Sequence, residues 1–467
     1  MLAMKKLYTI YTKPKPGGGM TLGRREECLS SLPIIHVAGT KGKGTTCLYV
    51  ESLLLQYMEE TGDRFRIGCL ASPHITSVRE RIKLDGKKIS KDLFIARYWE
   101  NERVTRPSIE PKCNNDGPTP PGFPGYMTLM AIYAFIKEKV VVAIIETGIG
   151  GRDDSTNIFR SPVATGITTI NLDHTATLGN TRGEIALHKA GIFKTDCPAF
   201  TVEGQDDAVL QVLRTEAQNR KTKGGLEIVP TSLLQAYEAQ VTPDMPWQRG
   251  NGAIAIRLAN AYLQRRGPNA AVSRSIASCL VRTELSGRNQ VASEGNLKWF
   301  ISIAHNEVSV EATSQWFKTE VRRSEEQRIL NLLIFSHNEQ RDSDGVLRHL
   351  HQTLQGDDPL AFDKAIFCSE STGLEEHKPD FADPRPSQSS SPMEKPNQRA
   401  ELWSKLQRSG IATTALSVKD AMKSARVFCK LNKANILIIG STRQAGAACY
   451  MLDEAKKNSS TSEVTSR

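Results

Sequence analysis

Between residues 33 and 46 the chain reads Pro33-Ile-Ile-His-Val-Ala-Gly39-Thr40-Lys41-Gly42-Lys43-Gly44-Thr45-Thr46, an apolar run, a glycine-rich turn, and threonines opening an amphipathic stretch. That order builds a phosphate cradle. Glycines let backbone N–H groups converge on phosphate oxygens, a helix N-terminus adds partial positive charge, a lysine reaches the terminal phosphates and a hydroxyl meets Mg2+. Lys43 and Thr45 fit the last two roles. The spacing departs from the common P-loop pattern, because Gly44 separates Lys43 from Thr45 and the first glycine stands closer than usual. The plain alternative is a strand-to-helix turn with no ligand.

Further groups could serve a divalent cation. Ala71-Ser72-Pro73-His74 opens a loop that leads to Arg79-Glu80-Arg81, and Glu146 ends an apolar run followed by Thr147-Gly-Ile-Gly-Gly-Arg152. In open parallel sheets ligands bind at the carboxyl ends of strands, and oxygen donors there suit a hard cation. A lone carboxylate ending a strand is otherwise a capping or solvated group. Asp173-His174-Thr175 adds a carboxylate and an imidazole, and His188-Lys189-Ala-Gly191 follows. A lysine in such a place is ordinarily a surface charge, and an ammonium at residue 189 would repel Mg2+ unless deprotonated or modified.

The elements that must position these groups are legible as an alternation. Apolar runs at 33–38, 140–145, 164–170, 299–303, 329–335, 365–368 and 436–439 read as buried strands. Helical patterns at 45–58, 127–137, 253–265, 310–321 and 418–431 lie between them, which predicts parallel sheets of the α/β class. The pattern restarts after 286–290, giving an N-terminal domain at 33–287 and a smaller C-terminal one at 288–455. Residues 1–32 read as an extension, 105–125 and 380–399 as loops, and 456–467 as a disordered tail.

Composition bounds the function. A chain of 467 residues with 39% hydrophobic and 24% charged residues is globular, and its longest aliphatic run, 140–145, is far short of the ~20 residues of a bilayer span. Nine cysteines without a C-x-x-C pair read as reduced thiols rather than a zinc or disulfide framework. A net charge of +10 favours anionic partners, but the charge is dispersed and aromatic residues are 6%, which argues against nucleic acid. Lys5, Lys6, Lys13, Lys15, Arg24 and Arg25 precede the first acid, Glu26, as in a transit peptide. Pro14, Pro16 and Gly17 to Gly19 interrupt that stretch and serine is scarce, so the expected location is cytoplasmic, with the mitochondrion as the other compartment.

Gly39 to Thr45, Ser72-Pro-His with Val78-Arg-Glu-Arg-Ile82, Glu146 to Arg152, Asp173-His-Thr175 and His188 to Lys194 occur in the order seen in folylpolyglutamate synthases. The chain resembles that family, part of the Mur ligase superfamily, over about 33–194 and more weakly through Gln248, Asn251, 286–290 and Gly440-Ser441. Its motif forms look more like the eukaryotic polyglutamating branch. The resemblance implies a P-loop NTPase-like domain with a parallel sheet, a smaller Rossmann-like α/β domain and a monomer. It implies an ATP-dependent ligase that phosphorylates the terminal carboxylate of a reduced folate and lets the amine of L-glutamate displace the phosphate. By matching position, Gly39, Thr40, Lys41, Gly42, Lys43, Gly44, Thr45, Arg288, Ser302 and His305 would contact ATP. Thr45 would serve the nucleotide Mg2+, and Ser72, Glu146 and His174 a second Mg2+. Lys43, Lys189 and His174 would be catalytic, and Lys189 matches the lysine that is carbamylated in the family. A monovalent cation is a further implied cofactor.

The C-terminal half departs from the pattern. Ser302 stands where the family has a nucleotide-binding aspartate, and Ile303 replaces a glycine. Loss of one charged hydrogen bond costs about 1.5–3 kcal/mol. Ser302→Asp combined with Ile303→Gly is therefore expected to tighten ATP binding. A ligase acting on a non-folate acid and a weakly catalytic binding paralogue are the other readings this departure leaves open.

Overall fold

The computed structural model describes residues 32–105, 122–322, 329–337, 342–356, 359–374 and 391–464. The N-terminal extension, except Leu32, and most of the stretches read as loops lie outside these residues. The chain divides into two compact units. One comprises the described residues up to His74 with Arg79–Thr283, the other Ile75–Val78 with the described residues from Glu284 onward.

The first unit holds an eight-stranded sheet: β1 (Ile34–Ala38), β2 (Ile67–Leu70), β3 (Ile82–Leu84), β4 (Lys87–Lys88), β5 (Val142–Glu146), β6 (Ala164–Ile167), β7 (Ala199–Val202) and β8 (Leu226–Val229). Their order is β4-β3-β2-β5-β1-β6-β7-β8. Strand β1 is central and buried throughout, parallel to β5 on one side and β6 on the other, with His36 level with Ile145 and Thr165. Such strands carry no alternation because both faces are covered. From β2 to β8 all neighbours are parallel, so their carboxyl ends share one edge. The chain leaves β1 for β2 beyond β5 and later returns to β6 on the opposite side, a topological switch point of the kind that opens a ligand crevice. Antiparallel β3 and β4 are joined by Asp85-Gly86, both at positive φ, the residue pair favoured in a two-residue hairpin.

The second unit holds a six-stranded sheet: β9 (Gln290–Glu294), β10 (Leu297–Ile301), β11 (Leu330–Phe335), β12 (Lys364–Cys368), β13 (Ile411–Ala415) and β14 (Ala434–Ile439). Their order is β13-β12-β11-β14-β10-β9, parallel except for the β9–β10 hairpin. Its core gathers Trp299, Ile301, Ile334, Ile366, Met422 and Ile438, and it includes Ile75 from the first half of the sequence.

Several boundaries differ from the sequence reading. Strand β6 stops at Ile167 and β10 at Ile301, so residues 168–170 and 302–303 are loop backbone. The helix Phe123–Lys137 starts inside the stretch read as a loop because Pro124 suits a first turn, where its missing N–H costs nothing. The helix Glu394–Leu406 takes the end of the other expected loop. The last helix runs Thr442–Val464, where a disordered tail from 456 was expected. A helix satisfies its backbone internally, so a polar run can prolong one without a core. Strands β8 and β13 went unread because they are edge strands, half exposed, with no continuous apolar run.

Trp299 is fully buried, donates from Nε1 to Glu294 Oε2 at 3.1 Å and lies under the Arg426 guanidinium. Trp299→Ala is expected to cost about 3–5 kcal/mol of stability, read from the urea midpoint by far-ultraviolet circular dichroism. An unchanged midpoint would contradict its place in the core.

Candidate active site

Four loops meet the carboxyl edge of the first sheet: 39–42 after β1, 71–74 after β2, 147–152 after β5 and 168–174 after β6. The first is pressed against the last. Gly39 has φ 148°, and a β-carbon there would lie 1.8 Å from Thr168 Oγ1. At Gly42, φ 89°, a β-carbon would meet Asn251 Oδ1 at 2.1 Å. Glycine is required at both by space and by conformation. Thr168 Oγ1 donates to Lys41 O at 2.6 Å, while the Thr40 and Lys41 N–H groups donate to Thr169 O at 2.9 and 3.2 Å. Thr40 Oγ1 donates to Asn171 O at 3.0 Å, and Lys41 pairs with Asp173 at 3.4 Å.

These bonds hold the turn in shape: Thr40 and Lys41 use their backbone N–H groups, and Gly39 and Lys41 their carbonyls, within the fold. The helix Lys43–Thr61 begins at Lys43, so the N–H groups of Lys43, Gly44 and Thr45 fall in its first turn, where no carbonyl precedes them in the helix. Those donors, with the Lys43 side chain, can receive a phosphate.

Glu146 is 5% exposed, and its Oε2 accepts the Ser72 N–H at 2.6 Å. The β2 and β5 loops are thereby tied together at a carboxylate. The loop after Glu146 is held by Asp154, which accepts Ile149 N–H (2.8 Å) on one oxygen and Thr156 N–H (2.9 Å) and Oγ1–H (2.6 Å) on the other. The Thr156 hydroxyl proton is thus committed, so the buried His36 donates to it from Nε2 at 2.9 Å. Burial, with Lys194 nearby, holds the His36 imidazole neutral, its pKa lowered to about 3. His74 is likewise pushed well below the ordinary histidine range by burial and by Arg81.

Lys189, 3% exposed, donates to Gly39 O at 2.8 Å from the helix Arg182–Ala190. Burial lowers its pKa to about 7, aided by the positive charge of Lys43 and opposed by Asp173 and Asp154. Lys43, Lys41, Asp173, Asp154 and Lys189 therefore share one electrostatic neighbourhood. Partial burial would raise the Asp173 carboxyl, but Lys41, His174 and the His174 N–H outweigh it and hold it below its usual range. His174 is exposed, with positive φ, at the start of the short helix Thr175–Leu178.

The remaining expected residues lie on the second unit's own carboxyl edge. Ile303 N–H donates to Gly287 O and packs on the core, and His305 Nδ1 lies 2.8 Å from Ile303 O. Arg288 is half-buried at the entry to β9. Ser302 is 4% exposed; its hydroxyl lies 2.9 Å from Thr313 Oγ1 and accepts the Ala304 N–H at 3.4 Å. It organises the turn after β10. Sequence reasoning also passed over Thr168 and Asp154. The Asp154-x-Thr156 spacing, an Asx-turn signature, was the available signal for the second.

No family model matches the chain. It is 33% identical to the folylpolyglutamate synthase of Neurospora crassa over 449 residues, covering 93% of this chain and 84% of that protein. It is 37% identical to the mitochondrial folylpolyglutamate synthase of Bos taurus over 375 residues, covering 74% of this chain and 60% of that protein. For folylpolyglutamate synthase of a Saccharomyces cerevisiae strain the figures are 34%, 75% and 64%. The chain thus spans less than two thirds of the bovine and yeast relatives. Among solved structures it is similar to Mycobacterium tuberculosis folylpolyglutamate synthase complexed with ADP, with 22% identity, TM-score 0.67 and 97% and 94% of the two chains covered. E. coli FolC in complex with DHPP and ADP gives 22%, 0.65, 97% and 97%. These likenesses show a shared two-sheet α/β fold.

Two outcomes test this geometry. Ser302→Asp with Ile303→Gly puts a carboxylate among Thr313 and Ala304 and removes a partly buried side chain packed against the core. It is expected to lower stability by about 2–5 kcal/mol without tightening ATP binding; a higher melting temperature or tighter calorimetric binding would restore the sequence expectation. Lys189 has a folded pKa of about 7 against about 10.4 unfolded. Between the two values the unfolded chain holds the extra proton, so stability rises with pH across that window, and the cost of the buried charge is fully present below it. The stability of the protein minus that of Lys189→Met should therefore climb from pH 7 toward pH 10. A flat difference would mean that the amine keeps its proton.

Proposed function

The chain belongs to the folylpolyglutamate synthase family, and from that premise we propose that it is an ATP-dependent amide ligase adding L-glutamate to the terminal carboxylate of reduced folate (poly)glutamates. The observation that supports this reading most is the meeting, on one sheet edge, of a phosphate-receiving helix start, the Glu146–Ser72 pair and the buried Lys189 amine. Residues 33–287 are read as the ATP-binding domain, which contains the first unit from residue 33 onward, and 288–455 as the C-terminal ligase domain.

In the proposed reaction the γ-phosphoryl group passes to a carboxylate oxygen of the folate and ADP leaves. The glutamate amine then attacks the acyl carbon, loses a proton, and inorganic phosphate departs as the amide forms. Such chemistry depends on neutralising and positioning the transferring phosphoryl group more than on covalent help. Lys43 and the N–H groups of Lys43 to Thr45 are assigned to the terminal phosphates. Gly39, Thr40, Lys41, Gly42, Arg288, Ser302 and His305 are assigned to further nucleotide contact.

The oxygen donors fit Mg2+, which takes one or two carboxylates and completes its shell with water and phosphate oxygens. No group of three or more His, Cys, Asp or Glu side chains that could hold a metal gathers among the described residues. Thr45 would serve the nucleotide ion, and Ser72, Glu146 and His174 a second. Bound Mg2+ supplies charge neutralisation of the phosphates. A Lys189 pKa of about 7 leaves a large unprotonated fraction at neutral pH, the form that adds CO2 to give a carbamate with release of a proton. That modification would turn a cation into an anion beside the cradle.

The partners proposed are ATP, L-glutamate and a reduced folate, with the protein a monomer in the cytoplasm, the mitochondrion being the alternative compartment. Among the described residues no helix is long and apolar enough to cross a membrane. Lys43→Ala is expected to lower kcat by roughly a hundredfold or more with an unchanged melting temperature. Phosphate release by the purified protein with ATP, Mg2+, glutamate and a panel of acids tests the whole reading. Folate-dependent release supports it; release only with another acid, or none, overturns it.

A further inference from the structure

His74 closes the loop after β2, beside the Ser72 N–H that engages Glu146. Its ring is fixed from one side. Arg81 donates from Nε to Nδ1 at 2.8 Å, and its guanidinium lies over the Phe123 ring, 5.1 Å from the centroid. A guanidinium has donors and no acceptor, so Nδ1 must present its lone pair and the ring proton sits on Nε2. That Nε2 is buried and has no hydrogen-bond partner among the described residues. A buried N–H left without an acceptor is costly and rare in native folds, and this one stands on a ligand-bearing sheet edge.

Strand order indicates what the acceptor is. Along β2-β5-β1 the His74 loop, the Glu146 loop and the phosphate cradle follow one another, so Glu146 lies between His74 and the groups assigned to ATP. Along the sheet edge the His74 loop is thus separated from the cradle by the Glu146 loop. We propose that the His74 Nε2–H recognises an oxygen of the acid substrate, a carboxylate or carbonyl of its glutamyl end, with Arg81 as the positioning residue that fixes the tautomer. This rests on the ligase reading and names how that site selects its acid.

Three variants separate donor from prop. Glutamine at residue 74 carries both an acceptor for Arg81 and a donor at the reach of Nε2; asparagine reproduces only the nearer atom; alanine has neither. The KM for the folate is expected to rise about tenfold or more in His74→Asn and His74→Ala and to stay within roughly threefold in His74→Gln, while the KM for ATP is unchanged and the melting temperatures of the Asn and Gln variants match. Equal folate KM values for Asn and Gln would reduce His74 to a support for Arg81 and overturn the proposal. A rise in the KM for ATP in place of the folate would assign the donor to a phosphate and also overturn it. Unmutated protein that binds ATP but turns over no folate defeats the ligase reading itself, an outcome visible before any variant is made.

Discussion

The close approach of Gly39 to Thr168 is the constraint on which the site depends. It is possible only without a β-carbon, and it brings the turn after β1 against the backbone after β6. Thr168 then holds the Lys41 carbonyl, Thr169 takes two N–H groups of the turn, and the Gly39 carbonyl is left facing Lys189. The helix that follows begins at Lys43, and its first free N–H groups point back toward this turn.

Charge follows from that arrangement. Lys41, Lys43 and Lys189 are drawn into one neighbourhood, and Asp173 and Asp154 offset only part of their charge. Desolvation resolves the remainder by lowering the affinity of Lys189 for its proton. An anionic ligand at the helix start would relieve the same imbalance, which is why a cation-rich pocket of this kind suits nucleotide phosphates. Asp154 contributes twice, through its charge toward Lys189 and through three hydrogen bonds that shape the loop after Glu146.

In the second unit, positions read as nucleotide contacts also carry bonds and packing of the fold. Ser302 and Ile303 stand where nucleotide-contact residues were expected, yet one hydroxyl serves the turn after β10 and the other side chain serves the core. His305 is bonded to the same turn through Ile303 O. The inclusion of Ile75 in that core joins a short segment from the first half of the chain to the second unit.

The amino-acid sequence by itself determined the α/β class, the central strands β1, β5, β6, β10, β11, β12 and β14, and the candidate positions Lys43, Thr45, Ser72, Glu146, His174 and Lys189. Buried parallel strands are continuous apolar runs, and phosphate turns need glycine at particular places, so both are written in local residue order. Edge strands such as β8 and β13 were hidden because a half-exposed strand has no such run, and the buried β2 and β7 because four residues, broken by Gly68 or Thr201, make too short a one. Only the tertiary structure decided which polar groups are spent and which remain for a ligand. Thr40 and Lys41 lose their N–H groups to a carbonyl 129 and 128 residues away in sequence, and His74 acquires its tautomer from Arg81. Hydrogen-bond partners and desolvation are set by what lies near in space, and residue type alone does not carry that information.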